Sequence, residues 1–590
     1  MRGVLLFGLF GIVCNLSVFI DAESDWWQNM ALYQVYPRSF KDSDGDGIGD
    51  IKGIQSKLEH FKDAGINAFW LSPIFTSPMV DFGYDIANFT EIDPIFGTMS
   101  DFENLVKAAK KLNIKVILDF VPNHSSTEHE WFEKSVKGEG KYANYYVWHE
   151  GSVVNGTRVP PNNWVSVFSG PAWTYVEERQ AWYLHQFAVQ QPDLNFRDPN
   201  LVQEMKDAIV FWLDKGVDGF RVDAIPHLFE ADGFPNEPLS GETNDPNNYG
   251  YTMKHATKDI EESYDMVSQW RKLLDEYALR TDNVTRIMMM EAYCNVTFTM
   301  KYYSYGAHFP FNFGFVSNVN GQSTANDIKV KVLDDWLQNV PEDATSNWVI
   351  GNHDNSRVAT RFGSKRVDAM NMMSLLLPGV SVTYYGEEIG MEDRWMSWED
   401  TQDPQGCGAG EENYASVSRD PVRAPFQWDA TVAAGFSTTN NTWLPVHDNY
   451  QTLNLAAQKQ AEVSHYKVYQ ALTTLRQEDV AKYGSVDAKV IGGSVLAYTR
   501  ELIGSEPIVV VANLADETAD VSLDDFSGLP DTLTVYTASV HSSLTAGAKV
   551  SKSSFQVSGM AGLVLRSGAT TFTSSLVLVC FMILQAYLRH

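Results

Sequence analysis

Cysteine is the first scarcity: the 590-residue chain holds four, Cys14, Cys294, Cys407 and Cys580, too few for a disulfide scaffold. Basic charge is the second. Forty-five Lys and Arg stand against 74 Asp and Glu, a net charge of -29, so the average surface repels phosphate backbones and anionic headgroups. That argues against nucleic acid as a partner and in favour of a small neutral one. Long apolar runs are the third: apolar stretches at the two ends are short of the roughly 20 residues that span a bilayer. Disorder is excluded by what is plentiful, since 44% hydrophobic residues in a chain of this length can bury at least one large core. The aromatic share is 13%, and such side chains offer flat faces with polar edges.

The ends read as processing signals. Met1-Arg2, the apolar run Gly3 to Ile20 and the small residue Ala22 have the layout of a signal peptide, residues 1–22. After Arg566 come Ser567, Gly568 and Ala569, a Thr/Ser spacer and the apolar stretch Leu576 to Leu588, the order of a GPI-attachment signal over 567–590 with Ser567 as attachment residue. A membrane helix at the C-terminus is the alternative. Cys14 and Cys580 fall in these segments, leaving Cys294 and Cys407 to pair or to stay as thiols. Sequons at Asn88, Asn155, Asn283, Asn295 and Asn440 agree with a secreted glycoprotein, whereas the one at Asn123 sits at a strand end beside His124, a poor place for a glycan.

Between the ends, apolar runs alternate with helical periodicity. Ala31–Tyr36, Ala68–Leu71, Ile114–Phe120, Val217–Val222, Ile287–Met290, Trp348–Ile350 and Val380–Tyr385 read as strands; Ile54–Ala64, Ser100–Leu112, Pro199–Lys215 and Asp327–Leu337 read as helices. Repeated strand-helix units imply a parallel sheet, open or closed. Polar residues recur just after the strands (Asp119, His124, Arg221, Asp223, Glu291, His353, Asp354), which favours a (β/α)8 TIM barrel, where all such ends meet at one mouth. The barrel then covers 23–124 and 192–490. Residues 125–191, rich in Trp, Tyr, Asn, Gly and Pro, form an inserted domain after the third strand, and 491–566, with short alternating runs, form a C-terminal antiparallel β-sandwich.

Two carboxylates carry the chemistry. Arg221 and Asp223 are two apart on a strand and point the same way, so the guanidinium favours the ionised carboxylate that a nucleophile needs. Glu291 ends the next strand, where a low-dielectric pocket and a neighbouring carboxylate favour its proton, as a general acid requires. A structural salt bridge and an ordinary loop acid are the plain alternatives. Asp354 can stabilise positive charge on a flattening sugar ring, with His353 and His124 donating to hydroxyls. A zinc centre on these histidines lacks compact ligand spacing. Separately, Asp42, Asp44, Asp46 and Asp50, interleaved with glycine and with the carbonyl of Ile48, suit a hard cation such as Ca2+, a plain Asp/Gly turn being the alternative.

Asp81-Phe82-Gly83-Tyr84-Asp85, Asp119 to His124, Gln191 to Asn195, Gly219 to His227, Glu291-Ala292-Tyr293, Asn352-His353-Asp354 and Arg419 to Arg423 ahead of Gln427-Trp428-Asp429 resemble, in order and spacing, the alpha-amylase family of glycoside hydrolases. Within it they resemble the maltase/oligo-1,6-glucosidase branch and its insect gut members. The resemblance implies a retaining alpha-glucosidase with Asp223 as nucleophile, Glu291 as acid/base and Asp354 as transition-state stabiliser. Asp81, Tyr84, His124, Arg221, His353 and Arg423 would line the glucose site, although Arg419 lies close to Arg423. The Asp-rich loop matches the branch's structural Ca2+ site, and no organic cofactor is implied. Substrates would be small neutral oligosaccharides (maltose, sucrose-like sugars, short malto-oligosaccharides). In this branch Val follows the nucleophile in isomaltose-directed enzymes and smaller or polar residues in maltose-directed ones; Ala224 therefore points to alpha-1,4 cleavage.

The same resemblance places the protein on the extracellular face of the cell membrane in midgut epithelium, held to the outer leaflet by a lipid anchor. It also admits a homodimer and bacterial-toxin docking. Two other readings compete: a non-enzymatic binding protein like the transporter heavy chains of the family, disfavoured by the presence of all three carboxylates, and a transglycosylase sharing the same intermediate.

Overall fold

A computed structural model describes residues 25–568; the signal segment, Cys14, Cys580 and the segment from Ala569 onward lie outside the described residues. Eight parallel strands form the central sheet: Ala31–Val35, Ala68–Leu71, Lys115–Phe120, Gly219–Val222, Ile287–Met290, Phe309–Pro310, Asn347–Val349 and Val380–Tyr384. They neighbour one another in sequence order, and the eighth pairs with both the seventh and the first, which curls the sheet into a (β/α)8 barrel.

The remaining seam, between the sixth and seventh strands, carries no backbone ladder among the described residues. Pro310 has no N–H to give there. A side chain takes over: Asn347 Nδ2 donates to Pro310 O at 2.6 Å, and Asn347 Oδ1 accepts from Asn312 N at 2.7 Å.

Alternation along the strands decides what fills the barrel. Leu32, Ile117, Ile287, Met289, Val349 and Val382 point inward to one apolar cluster, while Tyr33, Val116, Met288 and Met290 point outward under the helices. Towards the C-terminal ends the inward positions turn polar, at Asp119 and Arg221. Gly219 is required in the layer below, since a Cβ there would stand 2.5 Å from the Ile287 carbonyl oxygen.

The inserted segment folds as a three-stranded antiparallel sheet of Trp148–His149, Trp173–Val176 and Ala181–Leu184, and a bridge between His124 and Asp193 closes its base. The C-terminal sheet begins at Ser485, ahead of the Ile491 expected from the pattern, and has six strands whose inner face buries Val495, Val509, Leu533, Leu563 and Leu565. No helix among the described residues is long and apolar enough to cross a membrane. Cys294 and Cys407 are both free thiols, so the pairing left open by the sequence is not made.

Candidate active site

The strand ends deliver a pocket of about 430 Å³, lined by Asp81, Tyr84, His124, Asp223, Glu291 and Asp354 together with His353. One guanidinium organises its floor. Arg221, with almost no exposed surface, reaches Asp119 Oδ1 at 2.9 Å, bonds Asp223 Oδ1, and stands 3.6 Å from Glu291 Oε1. Asp119, Arg221 and Asp223 share the inward face of adjacent strands, which pair Arg221 with Asp119 in register. Asp223 and Glu291 thus converge from two strands on one cation, and both line the pocket.

Burial pushes Asp223 up to about 7; Arg221 opposes the shift, and Asp119 and Asp354 add to it. Burial likewise pushes Glu291 up to about 7, against Arg221 and with the help of Asp223. Burial therefore outweighs Arg221, contrary to the expectation that the guanidinium alone keeps Asp223 ionised at neutral pH. Both carboxyls thus stand well above the ordinary carboxylate range, so a protonated group is available at the site near neutrality, as acid/base work on a glycosidic bond needs. Asp354 behaves differently. Burial alone would raise it, but His353, Arg419, Arg423 and Arg221 hold it well below the ordinary carboxylate range.

The other residues are presented by loops with their own internal bonding. Asp85 accepts from Val80 N at 2.8 Å, Asp81 N at 3.0 Å and Ser77 Oγ at 2.9 Å, pinning the turn that aims Asp81 and Tyr84 inward. Tyr84 donates to Asp119 Oδ2 at 3.1 Å, lies 2.7 Å from His353 Nε2 and stacks on that imidazole at 5.4 Å. Asn352 Oδ1 accepts from Asp354 N at 3.0 Å. His124, its Nε2 3.0 Å from Tyr84 O, and His353 are lowered by burial to about 4 and about 3, so both are neutral at physiological pH.

Arg419 faces the pocket, and Arg423 does not. Arg419 bonds Asp81 Oδ1 at 2.8 Å and Asp354 Oδ1 at 3.2 Å, held from behind by the fully buried Asp403. Arg423 lies deeper, bonding His353 O at 2.9 Å and Asp354 Oδ1 at 3.1 Å. Phe168, Phe187, Tyr249 and Lys258 also line the pocket and had no motif to announce them, while Tyr293, the last residue of the Glu291-Ala292-Tyr293 segment, lines it as well. Ala224, between the two carboxylates, adopts φ 48° in the left-handed region.

In the Asp-rich loop, carboxylate oxygens of Asp42, Asp44 and Asp50 lie within 4.8 Å of one another, close enough to share a hard cation. Asp46 is outside this group; its Oδ1 accepts from Ile48 N at 2.8 Å. Of the sequon residues, Asn155, Asn283, Asn295 and Asn440 are exposed, Asn88 is half-buried, and Asn123 is buried.

The fold and site together define a carboxylate-centred (β/α)8 barrel of glycoside-hydrolase type. Residues 34–484 match the alpha amylase catalytic domain model, and the chain belongs to the alpha-amylase family. It is 50% identical over 536 residues to the alpha-glucosidase of Apis mellifera, covering 91% of this chain and 94% of that one. It is 50% identical over 554 residues to maltase 1 of Drosophila virilis, covering 93% and 88%. Among solved structures it is similar to the alpha-glucosyl transfer enzyme XgtA, with a TM-score of 0.81, 30% identity, and coverage of 92% of this chain and 100% of that one.

Proposed function

We propose that the protein is a retaining alpha-glucosidase that releases terminal, non-reducing, alpha-1,4-linked glucose from maltose, sucrose-like sugars and short malto-oligosaccharides. Asp223 attacks the anomeric carbon, and Glu291 protonates the leaving oxygen and then deprotonates the water that resolves the glucosyl-enzyme. Asp354, ionised under three cations, balances charge on the oxocarbenium-like ring, while Asp81, His124, His353 and Arg419 grip its hydroxyls, with Arg221 and Arg423 behind them. The observation that carries the reading is the contact of one guanidinium with Asp223 and its 3.6 Å approach to Glu291.

The test is glucose release from maltose by the purified protein against Asp223→Asn. Turnover in the variant within tenfold of the parent, or an inverted anomer as first product, would refute it. Product analysis at high sugar concentration separates hydrolysis from transfer to a second sugar.

The loop of Asp42, Asp44 and Asp50 holds a structural Ca2+ on this reading, supported by the three converging carboxylates. On the same reading the protein is secreted and carries a lipid anchor at Ser567 on the outer face of the cell membrane, a reading supported by the composition of the two end segments. Failure of a phosphatidylinositol-specific phospholipase to release the protein from cells would favour a membrane helix instead.

A further inference from the structure

A second cavity, of about 690 Å³, lies beside the catalytic pocket and shares Lys258 and Tyr293 with it. Its floor is built from the ends of the fifth and sixth strands, and its far side from Trp336. Tyr293 and Phe313 form the partition, stacked with ring centroids 4.1 Å apart and planes 10° from parallel.

The lining is amphipathic in a particular way. Aromatic faces come from Phe313 and Phe298; neutral polar groups come from Asn312, Asn318, Ser317 and Thr299. Asn312 Nδ2 and Trp336 Nε1 are buried donors with no hydrogen-bond partner among the described residues. The acids Asp259 and Asp335 disfavour an anion, and the lining acids do not gather into a cation site among the described residues. The Asn312 and Trp336 donors lie beneath the cavity surface; what the cavity itself presents is the exposed ring of Phe298 beside the exposed polar side chains of Ser317 and Asn318. A flat apolar face beside neutral polar groups suits a neutral pyranose, with C–H faces to stack and hydroxyls to pair.

We infer that this cavity is a second saccharide site, taking one neutral hexopyranose such as glucose, separate from the catalytic pocket. That glucose is produced next door rests on the proposed function; the chemistry of the site does not. Occupancy would be felt across the partition. The Tyr293 hydroxyl accepts from Asn352 Nδ2 at 2.7 Å and from Asn355 Nδ2 at 3.0 Å, and Asn352 in turn accepts from the backbone N–H of Asp354.

The test counts bound glucose per chain by equilibrium dialysis with radiolabelled glucose, using the full protein and Ser317→Trp. Ser317 is an exposed residue on the cavity rim, away from the catalytic residues, so an indole there fills the cavity without entering the core. The expected result is the loss of one glucose per chain in the variant, with an unchanged melting temperature. If the catalytic pocket binds no glucose, the count falls from one to zero rather than from two to one, so a failure of the glucosidase reading is told apart from a failure of this one. Equal counts in the two proteins would overturn the second site. Should Ser317→Trp melt early, Asn318→Trp on the same rim replaces it under the same criterion.

Discussion

The backbone N–H of Ala224 donates to Glu291 Oε2 at 2.7 Å, so the residue that follows one proposed catalytic carboxylate fixes the orientation of the other. It does so from φ 48° and ψ 29°, a left-handed conformation that alanine tolerates and a β-branched residue resists. Ala224→Val should therefore cost of order 1 to 3 kcal/mol in stability through backbone strain. Its extra methyls should also narrow the pocket, shifting the maltose-to-isomaltose ratio of kcat/KM by roughly tenfold towards isomaltose. Ala224→Gly is the control, with the turn relaxed and the ratio unchanged. Steady-state kinetics on both disaccharides, with a melting curve for each variant, decide the matter.

Arg221 serves three carboxylates at once, and lysine cannot copy its planar fork. Arg221→Lys should lower kcat/KM on maltose by about a hundredfold or more, roughly 3 kcal/mol of transition-state stabilisation, with the fold retained. Arg221 is also the group that opposes the upward shift of Asp223. Loosening it leaves burial less opposed, so the acidic limb of the pH profile of kcat/KM should move to higher pH. A limb that stays put or moves down would mean that Asp223 does not set it.

Much of this arrangement was legible in sequence because the barrel writes itself as apolar runs ending in polar residues: seven strands were readable within a residue or two of where they lie. The sixth, Phe309–Pro310, was not, being two residues long and containing a proline. The helix Val367–Leu376 is buried on every side, so it has no polar face to give a helical period. The helix Glu261–Arg280 is polar over most of its length and gave too thin an apolar stripe. Pocket residues such as Phe168 and Phe187 come from the irregular insertion, where no periodicity constrains position. The choice between Arg419 and Arg423 was undecidable for a simpler reason: both touch Asp354, and what separates them is depth and the further contact of Arg419 with Asp81, neither of which spacing reveals.

Glu291 is held in its protonated form by burial, and that has a consequence for folding. Its folded-state value, about 7, is above its ordinary value of 4.5, so its contribution to stability is fully present below the ordinary value and is lost as pH rises through the folded one. Glu291→Gln, which keeps an acceptor for Ala224 but carries no charge, should match the parent in stability near pH 4.5. At about pH 8 it should be more stable by about 2 kcal/mol, part of the shift being discounted for the exposed edge of the side chain. Denaturant midpoints at the two pH values check this, and a variant equally stabilised at both would rule out titration of Glu291 as the cause.

The aspartate-rich loop is tied to the barrel by more than its acids. Asp42, buried, accepts from the backbone of Asp44, Gly45 and Gly47, while Gly47 O accepts from Trp443 N at 3.0 Å. A Cβ on Gly47 would stand 2.0 Å from Asn441 O, so loop and segment are fitted at backbone distance. Trp443 lies 6.2 Å from Tyr36, which stacks on His353 at 5.7 Å. A cation shared by Asp42, Asp44 and Asp50 would neutralise their mutual repulsion and lock this contact, and its effect on stability would follow occupancy, about 2.7 kcal/mol at a hundred times the dissociation constant. Chelation should therefore lower the melting temperature by several degrees, and added Ca2+ should restore it. The loop meets the pocket only at one remove, through Tyr36, through Phe82 packed on Trp443, and through Ser39, which accepts from Trp443 Nε1 at 3.0 Å and donates to Arg423 O. So kcat on maltose below the melting range should change less than twofold. Asp44→Asn, at an exposed position, should abolish the Ca2+-dependent shift while leaving the metal-free melting temperature unchanged or slightly raised. A Ca2+ response that survives in Asp44→Asn would move the ion to other ligands.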